Sequence, residues 1–300
     1  MDAVIQTESL TKFYGDHMAI TDVNLEVREG EVFGYLGPNG AGKTTTIRLL
    51  FDFIRPTSGS ATVFGLDVRK NSREIRRQVD YLPGDMVIYD RMTGREVLTY
   101  LSNLREGVDW RYVEELAERF ECDLSQRVRS LSRGNRQKIG LIQAFMHRSR
   151  LIIMDEPSSG LDPLKQQEFY NLVGEVKADG RTVFISSHNL PEVERVCDRI
   201  GIIRRGELVN VEDVGELKDR ALHKLEIHFS GPVPPEAFSN LPGLQDVTVE
   251  DSRVRCTVMG KPDALIKVAA RYEVVKLISE EPSLEEIFLS YYSRDDSDAP

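Results

Sequence analysis

A glycine-rich segment, set between a short apolar run and a stretch with helical spacing, constrains this chain more than any other feature. Residues 31–36 are mostly apolar and strand-like, and residues 44–51 follow with apolar side chains at helical intervals. The segment between them reads Gly37, Pro38, Asn39, Gly40, Ala41, Gly42, Lys43, Thr44, Thr45. Its glycines allow backbone N–H groups to surround a phosphate at the N-terminus of the helix. The pattern Gly-x4-Gly-Lys-Thr therefore predicts a phosphate-binding loop in an α/β protein.

Two acids at the end of a second apolar run extend this prediction to catalysis. Residues 151–154 are apolar and end in Asp155 and Glu156, where an α/β sheet presents groups to its ligand. Lys43 is predicted to reach the β- and γ-phosphates, and Thr44 and Asp155 to bind Mg²⁺. Glu156 is predicted to act as the general base that polarises water. The sequence thus indicates hydrolysis of a nucleoside triphosphate.

The order of apolar segments predicts a P-loop α/β domain over residues 1–220. Residues 3–5 and 20–27 have strand character and predict an antiparallel β layer. Strands over 31–36, 151–154 and 182–186 alternate with helical sequence such as 163–178, which is typical of a largely parallel sheet. Residues of about 90–145 predict a helical insertion, with helices over 94–104 and 110–120.

A change of pattern after residue 220 predicts a second, smaller domain over 221–292. Helix 212–222 is predicted to bridge the two domains. Alternating apolar residues then predict four strands, and helices are predicted over 235–241 and 262–271. The order strand-helix-strand-strand-helix-strand fits a ferredoxin-like α+β module. A last helix is predicted from Ser283 to Tyr292, before a disordered acidic tail over 293–300.

Bulk composition narrows the class of partner. The chain has 300 residues and a formal net charge of -10, which disfavours binding to nucleic acid, so no nucleic-acid partner is expected. Cys122, Cys197 and Cys256 are widely spaced and are expected to be reduced thiols. The N-terminus does not resemble a signal peptide, and no apolar run approaches the roughly 20 residues that span a bilayer. Any connection to a membrane is therefore expected to come through a partner chain.

Further motifs resemble those of the ATP-binding cassette (ABC) family of transporter ATPases over residues 1 to about 220. The segment 131–137 reads Leu-Ser-Arg-Gly-Asn-Arg-Gln, residues 159–162 read Ser-Gly-Leu-Asp, and His188 follows the strand 182–186. The resemblance implies that Ser132 and Gly134 face the γ-phosphate bound to a second subunit. It also implies that Asp162 belongs to the D-loop and that His188 is the switch histidine. Tyr14 stands where the family stacks an aromatic ring on adenine, with a core tyrosine as the alternative.

The C-terminal segment 281–288, Glu-Pro-Ser-Leu-Glu-Glu-Ile-Phe, resembles cassettes of the ABC-2, mostly exporting, group. The resemblance implies ATP and Mg²⁺ as cofactors, a second ATPase subunit in a homodimer or heterodimer, and integral membrane permease subunits as partners. It further implies a cytoplasmic location on the inner face of the cell membrane, reached through the permease. An amphipathic helix packed on the accessory domain explains the same segment equally well.

Two positions depart from the family pattern. Arg133 and Asn135 replace residues of the family signature Leu-Ser-Gly-Gly-Gln, whereas Ser132 and Gly134 keep it. Gly84 stands where the family has the Q-loop glutamine, and glycine has no side chain with which to ligate Mg²⁺. Asp85 is either a replacement that approaches the metal through water or a solvent-exposed turn residue.

Two other functions remain open from the sequence. One is a soluble ABC-type ATPase that handles nucleic acid or the ribosome, although such proteins resemble tandem cassettes or carry long coiled coils. The other is a regulatory nucleotide-binding module with weak turnover, which the departures at Gly84 and in the signature suggest. The transported substrate is not predicted by any residue of this chain.

Overall fold

The computed structural model describes residues 3–86, 89–105, 107–220, 222–239, 241–259 and 262–280, and the chain divides into two units between Glu212 and Asp213. This division precedes the predicted boundary at residue 220, and it places the predicted bridging helix in the second unit. Within the described ranges, no helix combines the length and the apolar character needed to cross a bilayer.

The first unit alternates strands and helices over most of its length. Its strands are β1 Ala3–Tyr14, β2 His17–Val23, β3 Glu26–Arg28, β4 Val32–Leu36, β5 Ser58–Val63, β6 Leu66–Asp67, β7 Val79–Leu82, β8 Leu151–Asp155, β9 Thr182–Ser187, β10 Arg199–Arg204 and β11 Glu207–Asp213. Its helices are α1 Lys43–Leu50, α2 Ser72–Gln78, α3 Gly94–Asn103, α4 Trp110–Arg119, α5 Arg133–Phe145, α6 Pro163–Ala178 and α7 Leu190–Val196.

A six-stranded sheet with the order β11-β10-β4-β9-β8-β7 forms the centre of this unit. The neighbours β10/β4, β4/β9, β9/β8 and β8/β7 pair in parallel, which confirms the predicted sheet. All residues of β4, β8 and β9 are buried, as expected for strands covered on both faces. Their carboxyl ends therefore reach one common edge.

An antiparallel layer lies over this sheet, as predicted. Its strand order is β2-β1-β5-β6, with β3 also paired to β1. One apolar cluster joins the two sheets and includes Ile5 and Val27 of the layer with Phe33 and Phe184 of the parallel sheet. Strand β1 runs much further than the predicted 3–5. Polar side chains take its exposed positions, and register shifts interrupt its pairing with β2, so a continuous apolar pattern does not mark its full length.

Residues 90–145 contain α3, α4, a short 3₁₀ helix Val128–Ser130 and α5, in agreement with the predicted helical character. Thr93 and Glu96 form a reciprocal capping box at the start of α3. Asp109 accepts a hydrogen bond from Arg111 N at the start of α4, and Ser132 accepts one from Asn135 N at the start of α5. These caps fix where the helices begin.

The second unit contains α8 Val214–Arg220, β12 Leu222–Phe229, β13 Leu244–Glu250, β14 Arg253–Met259, α9 Asp263–Ala269 and β15 Val274–Glu280. Its sheet has the order β13-β14-β12-β15 with every neighbouring pair antiparallel. That order and those directions match a ferredoxin-like split arrangement, so the predicted fold class is confirmed.

One predicted helix of this unit is wrong. Within the described part of 235–241, the chain forms only a 3₁₀ turn, Pro235–Ala237. Pro242 directly follows the predicted segment and disfavours helical backbone at the residue before it, which limits the length of a helix here. The helix predicted from Ser283 and the tail 293–300 lie outside the described residues.

Arg105 fastens the helical region to the edge of the parallel sheet. Its guanidinium lies 2.8 Å from the Asp80 carboxylate in β7 and also donates to the backbone carbonyls of Arg76 and Val79. Asp80 is 2% exposed, and burial raises the pKa of its carboxyl while the charge of Arg105 opposes that rise. A buried carboxylate is tolerated because this pair and its hydrogen bonds compensate for lost hydration.

His147, beside this junction, makes the stability of the fold sensitive to acid. Burial, reinforced by the positive charge of Arg105, lowers the pKa of His147 to about 4. Between that value and the usual histidine pKa of about 6.5, the unfolded chain binds a proton that the folded chain excludes. The free energy of unfolding should therefore fall as the pH falls from about 6.5 to about 4. Urea titrations over this pH range should show a smaller fall in the free energy of unfolding for His147→Gln. Equal falls in the variant and the unaltered chain would contradict the lowered pKa of His147.

Candidate functional site

An open cavity of about 510 Å³ lies at the edge where the carboxyl ends of β4, β8 and β9 meet. It gathers predicted site residues from distant parts of the chain. Those on its wall are Tyr14, Asn39, Gly40, Gly42, Lys43, Thr44, Thr45, Asp155, Glu156 and His188. Of the other loop residues, Gly37 and Pro38 offer their carbonyls to Lys43 Nζ, and Ala41 N donates to the Pro38 carbonyl at 3.2 Å.

The phosphate-binding loop holds the Lys43 ammonium among oxygen atoms of the chain. Gly42 has a φ of 112°, a left-handed conformation that favours glycine, and α1 begins directly after it. Lys43 Nζ donates to the carbonyls of Gly37 at 2.6 Å and Pro38 at 3.2 Å. It also lies 3.2 Å from Glu156 Oε1, and its side chain is only 6% exposed. The cation thus faces the cavity in a fixed position.

Asp155 ends β8 with both carboxylate oxygens oriented. The Thr44 hydroxyl donates to Asp155 Oδ2 at 2.7 Å, and the Ser186 hydroxyl donates to Oδ1. Asp155 is 2% exposed, so its charge lies in a low-dielectric position close to the loop. A hydroxyl and a carboxylate in contact are the donor set with which P-loop proteins hold Mg²⁺ beside phosphates.

Glu156 connects the lysine to the histidine. Its backbone is left-handed, with φ 52°, and its N–H donates to the Ser186 carbonyl at 3.0 Å. This turn directs the carboxylate so that Oε1 faces Lys43 and Oε2 lies 2.7 Å from His188 Nδ1. Because a carboxylate only accepts hydrogen bonds, Nδ1 of His188 carries the proton. The histidine can therefore act on a ligand only through Nε2.

Tyr14 lies at the end of β1 and is 46% exposed on the cavity wall, so the alternative of a core tyrosine is wrong. The Lys12 ammonium lies 5.1 Å from the centre of its ring. A flat, accessible ring beside a phosphate-binding loop is suited to stacking on a base.

Gly84 lies against the Asp155 carboxylate. A Cβ atom at this position would be 3.2 Å from Asp155 Oδ2, which is tighter than ordinary van der Waals contact. Glycine therefore leaves space for the Asp155 carboxylate, and the Cβ atom of any other residue would reduce that space. Asp85 lines the same cavity and is exposed. Both of its interpretations, a metal-facing replacement and an exposed turn residue, remain predictions.

The remaining predicted residues, Ser132, Gly134 and Asp162, are not among the described residues that line this cavity. They lie at the starts of helices. Ser132 caps α5, Gly134 lies in the first turn of α5, and Asp162 caps α6 by accepting from Lys165 N at 3.0 Å. The start of α5 contacts the loop that precedes α6, since Arg133 Nη2 donates to Ser159 Oγ at 3.2 Å. The structure thus brings the start of α5 close to the segment 159–162, and Arg133 and Ser159 at this contact line the same cavity as Lys43.

Several supporting residues were not predicted. Gln137 donates to the carbonyl of Pro157 at 2.8 Å and so holds the turn after Glu156. Tyr81 and Arg48 line the cavity, and burial together with the charge of Asp155 raises the pKa of Tyr81 to about 12. Ser186 ends the predicted strand 182–186 and Ser187 follows it, and nothing in their spacing signals their contacts.

Comparison with known proteins places the chain among transporter ATPases. The profile of the family described as "ABC transporter" matches residues 20–159, and that of "ATP-binding protein DrrA1-3-like, C-terminal domain" matches 213–292. The chain is 34% identical to the bacitracin transport ATP-binding protein BcrA of Enterococcus faecalis over 259 residues, covering 85% of the chain and 84% of the relative. It is 33% identical to BcrA of Bacillus licheniformis over 297 residues, covering 96% of the chain and 97% of the relative.

Solved structures agree with the fold. A structure described as the ATP binding subunit of an ABC transporter superposes with a TM-score of 0.65 at 29% identity, covering 72% of this chain and 92% of the other. A dimeric cassette, MJ0796, bound to ADP and Pi gives a TM-score of 0.64 at 22% identity over 70% of this chain and 98% of its own. The second likeness concerns the fold alone.

Gly84→Ala tests the contact with Asp155. The added methyl group should displace the carboxylate by a few tenths of an ångström and lower the rate of ATP hydrolysis by roughly three- to tenfold. Gly174→Ala is the matched control, because a Cβ there meets no atom within 4 Å. Steady-state ATPase assays of both variants at saturating MgATP measure the effect. If Gly84→Ala turns over like the control, position 84 has no special backbone role.

Proposed function

Because the chain belongs to the ABC transporter family, as an ATP-binding and ATP-hydrolysing subunit, we propose that the cavity at the edge of its parallel sheet binds MgATP. The arrangement of Lys43, Glu156 and His188 around one point of the phosphate-binding loop is the observation that carries this proposal. The positive charge of Lys43 and the backbone N–H groups of residues 37–45 suit the phosphates. Tyr14 is proposed to stack on the adenine.

We infer that Mg²⁺ is held by Thr44 and Asp155. Their contact of 2.7 Å and the burial of Asp155 support this assignment. No group of three or more His, Cys, Asp or Glu side chains within the described ranges is placed to hold a metal without further help. Magnesium in such sites takes its remaining ligands from phosphates and water, so a sparse protein ligand set is expected. The metal would neutralise charge on the phosphates during hydrolysis.

The hydrolytic step is assigned to Glu156 as general base. Its carboxylate is 22% exposed and faces the cavity, where it can accept a proton from water attacking the γ-phosphorus. Lys43 stabilises negative charge on the phosphate oxygens. His188 holds the carboxylate through Nδ1, which leaves Nε2 for the γ-phosphate. These three side chains therefore have complementary roles in one site.

The site is proposed to be completed by a second ATPase subunit. Ser132 and Gly134 lie at a helix N-terminus, an arrangement that suits an anion, yet they are not among the described residues that line the cavity around Lys43. We therefore assign Ser132, Gly134 and Asp162 to the nucleotide bound by the partner, in a head-to-tail homodimer or heterodimer. ATP would bridge both subunits and shift the population towards the dimer.

The membrane partner is proposed to be a separate permease, and transport is proposed to be export. A relative that matches 96% of the chain is named for bacitracin transport, and another, matched over 80% of the chain and 42% of its own length, is named a probable multidrug ABC transporter ATP-binding protein. The permease would hold this subunit at the inner, cytoplasmic face of the cell membrane. Its identity would determine the transported substrate.

Replacement of Glu156 by glutamine tests the catalytic assignment. Glu156→Gln should hydrolyse ATP about 10² to 10⁴ times more slowly, because the amide cannot accept the proton of water. ATP binding should persist, since Lys43 and Thr44 are unchanged. The variant should therefore accumulate as an ATP-bound dimer, which light scattering after size-exclusion chromatography measures.

Glu115→Gln, on the exposed face of α4, is the control for a lost carboxylate elsewhere. It should keep the activity and the monomer–dimer distribution of the unaltered chain. Normal turnover of Glu156→Gln would remove Glu156 from the role of general base. Slow turnover without a dimer would instead contradict the shared site.

A further inference from the structure

Glu192 is a buried acid close to the catalytic residues that the assignments above leave without a role. It lies in the first turn of α7 and is 1% exposed. Burial of an ionisable carboxyl is unfavourable unless hydrogen bonds or opposite charges compensate for lost hydration. Its position therefore calls for an explanation in terms of what the carboxyl contacts.

The carboxyl of Glu192 holds the turn that carries His188 through one hydroxyl. Ser187 Oγ donates to Glu192 Oε2 at 2.6 Å, and the same Ser187 oxygen accepts from Asn189 N at 3.0 Å. The residues on both sides of His188 are thus tied together and to α7. The Ser187 carbonyl also accepts from Gly37 N at 3.2 Å, which joins this turn to the phosphate-binding loop.

This arrangement differs from an ordinary helix cap. Asn189 is the N-cap of α7 but makes no side-chain cap, and Glu192 is the third residue of the helix. A glutamate at that position usually accepts directly from the N-cap backbone N–H on the protein surface. Here the Ser187 hydroxyl stands between them, and the glutamate is buried. A helix-capping role alone explains these hydrogen bonds. It does not explain why the Glu192 carboxyl is buried next to the catalytic residues.

Catalytic groups surround the same carboxyl. The negative charge of Glu156 acts on Glu192 unfavourably, whereas His188 and the hydroxyls of Ser187 and Ser158 favour its ionised form. Glu192 Oε1 makes no hydrogen bond within the described residues. The carboxyl therefore lies close enough to both partners of the Glu156–His188 contact to feel their charges.

We propose that Glu192 is a positioning residue for ATP hydrolysis, which accepts a hydrogen bond from Ser187 and thereby holds His188 against Glu156. The inference rests on the proposed roles of Glu156 and His188. Glu192 itself does not touch the substrate. Loss of the acceptor should loosen the turn 187–189 and so reduce the fraction of molecules in which the 2.7 Å contact is made.

Variants of Glu192 and Ser187 test the proposal in the full chain. Glu192→Ala and Ser187→Ala should each lower kcat by about tenfold or more while the Kd for ATP changes by less than about threefold. Glu192→Gln should keep at least about a third of kcat, because its amide oxygen still accepts from Ser187. The double alanine variant should be no slower than the slower single variant, since both remove one hydrogen-bond chain.

Glu194→Gln is the matched control, being the same change two residues further along α7. Its kcat should equal that of the unaltered chain. Equal kcat for Glu192→Ala and this control would overturn the proposal, and so would a loss confined to ATP binding. Equal losses in Glu192→Gln and Glu192→Ala would also overturn it, by showing a need for charge rather than for an acceptor.

Ser187→Ala keeps the proposal testable if Glu192→Ala does not fold, because it removes the same contact with a smaller change in volume. Unaltered kcat in Ser187→Ala would then contradict the positioning role. Different results would remove the general-base role of Glu156 and the positioning role of Glu192. Normal turnover in Glu156→Gln removes the proposed general base, whereas slow Glu156→Gln with fast Glu192→Ala and Ser187→Ala removes only the positioning role.

The stability of the chain offers a readout independent of nucleotide. Burial raises the pKa of Glu192, with the charge of Glu156 adding to the rise and His188 opposing it, and Tyr170 and Cys197 also lie close enough to feel its charge. The folded chain therefore retains a proton that the unfolded chain loses above the usual glutamate pKa, so this group lowers stability as the pH rises. Urea titrations at several pH values should show that the free energy of unfolding of Glu192→Gln lacks this loss. Parallel pH profiles for the variant and the unaltered chain would contradict a raised pKa of the buried Glu192 carboxyl.

Discussion

The burial of the Lys43 ammonium is the constraint on which the site depends. A cation that is only 6% exposed must be surrounded by oxygen atoms, and the chain supplies two carbonyls of the phosphate-binding loop and the carboxylate of Glu156. Glu156 in turn is held by His188. The loop after β4, the end of β8 and the turn after β9 therefore share one electrostatic requirement. The oxygens of a bound phosphate would replace the chain's own oxygens around this lysine. The strands that carry those oxygens would not need to rearrange.

The sequence predicted the parts of this arrangement that depend on local pattern. The glycines before Lys43, the apolar run before Asp155 and the strand before His188 all have signals within a few residues, and the structure brings all three together in one cavity. The family and the enzyme class that these motifs indicated are confirmed by the relatives. Contacts made at long range were missed, because no spacing relates Ser187 to Gly37 or Gln137 to Pro157. The failed helix at 235–241 shows the converse, since the apolar spacing there does not outweigh Pro242, which disfavours helical backbone at the residue before it.

The departures from the family pattern have different physical consequences. Arg133 adds an exposed cation that contacts Ser159, so the altered signature keeps a link to the neighbouring loop. Gly84 removes a side chain where the backbone passes close to Asp155. A larger residue there requires the loop or the Asp155 carboxylate to shift by a few tenths of an ångström. The loop of residues 83–86 and the end of β8 are thus sterically matched to each other.

The order of strands in the parallel sheet also governs when this protein can fold during synthesis. β4 lies between β9 and β10, which begin only at Thr182 and Arg199, and so its neighbours leave the ribosome long after it does. At about 5–20 residues per second, the delay is on the order of ten seconds. Throughout that time the apolar strand β4 has neither of its parallel partners, and the phosphate-binding loop has no fixed partner for Gly37 N. The nascent chain is therefore exposed to aggregation, and ATP can protect the first unit only after most of it has been translated.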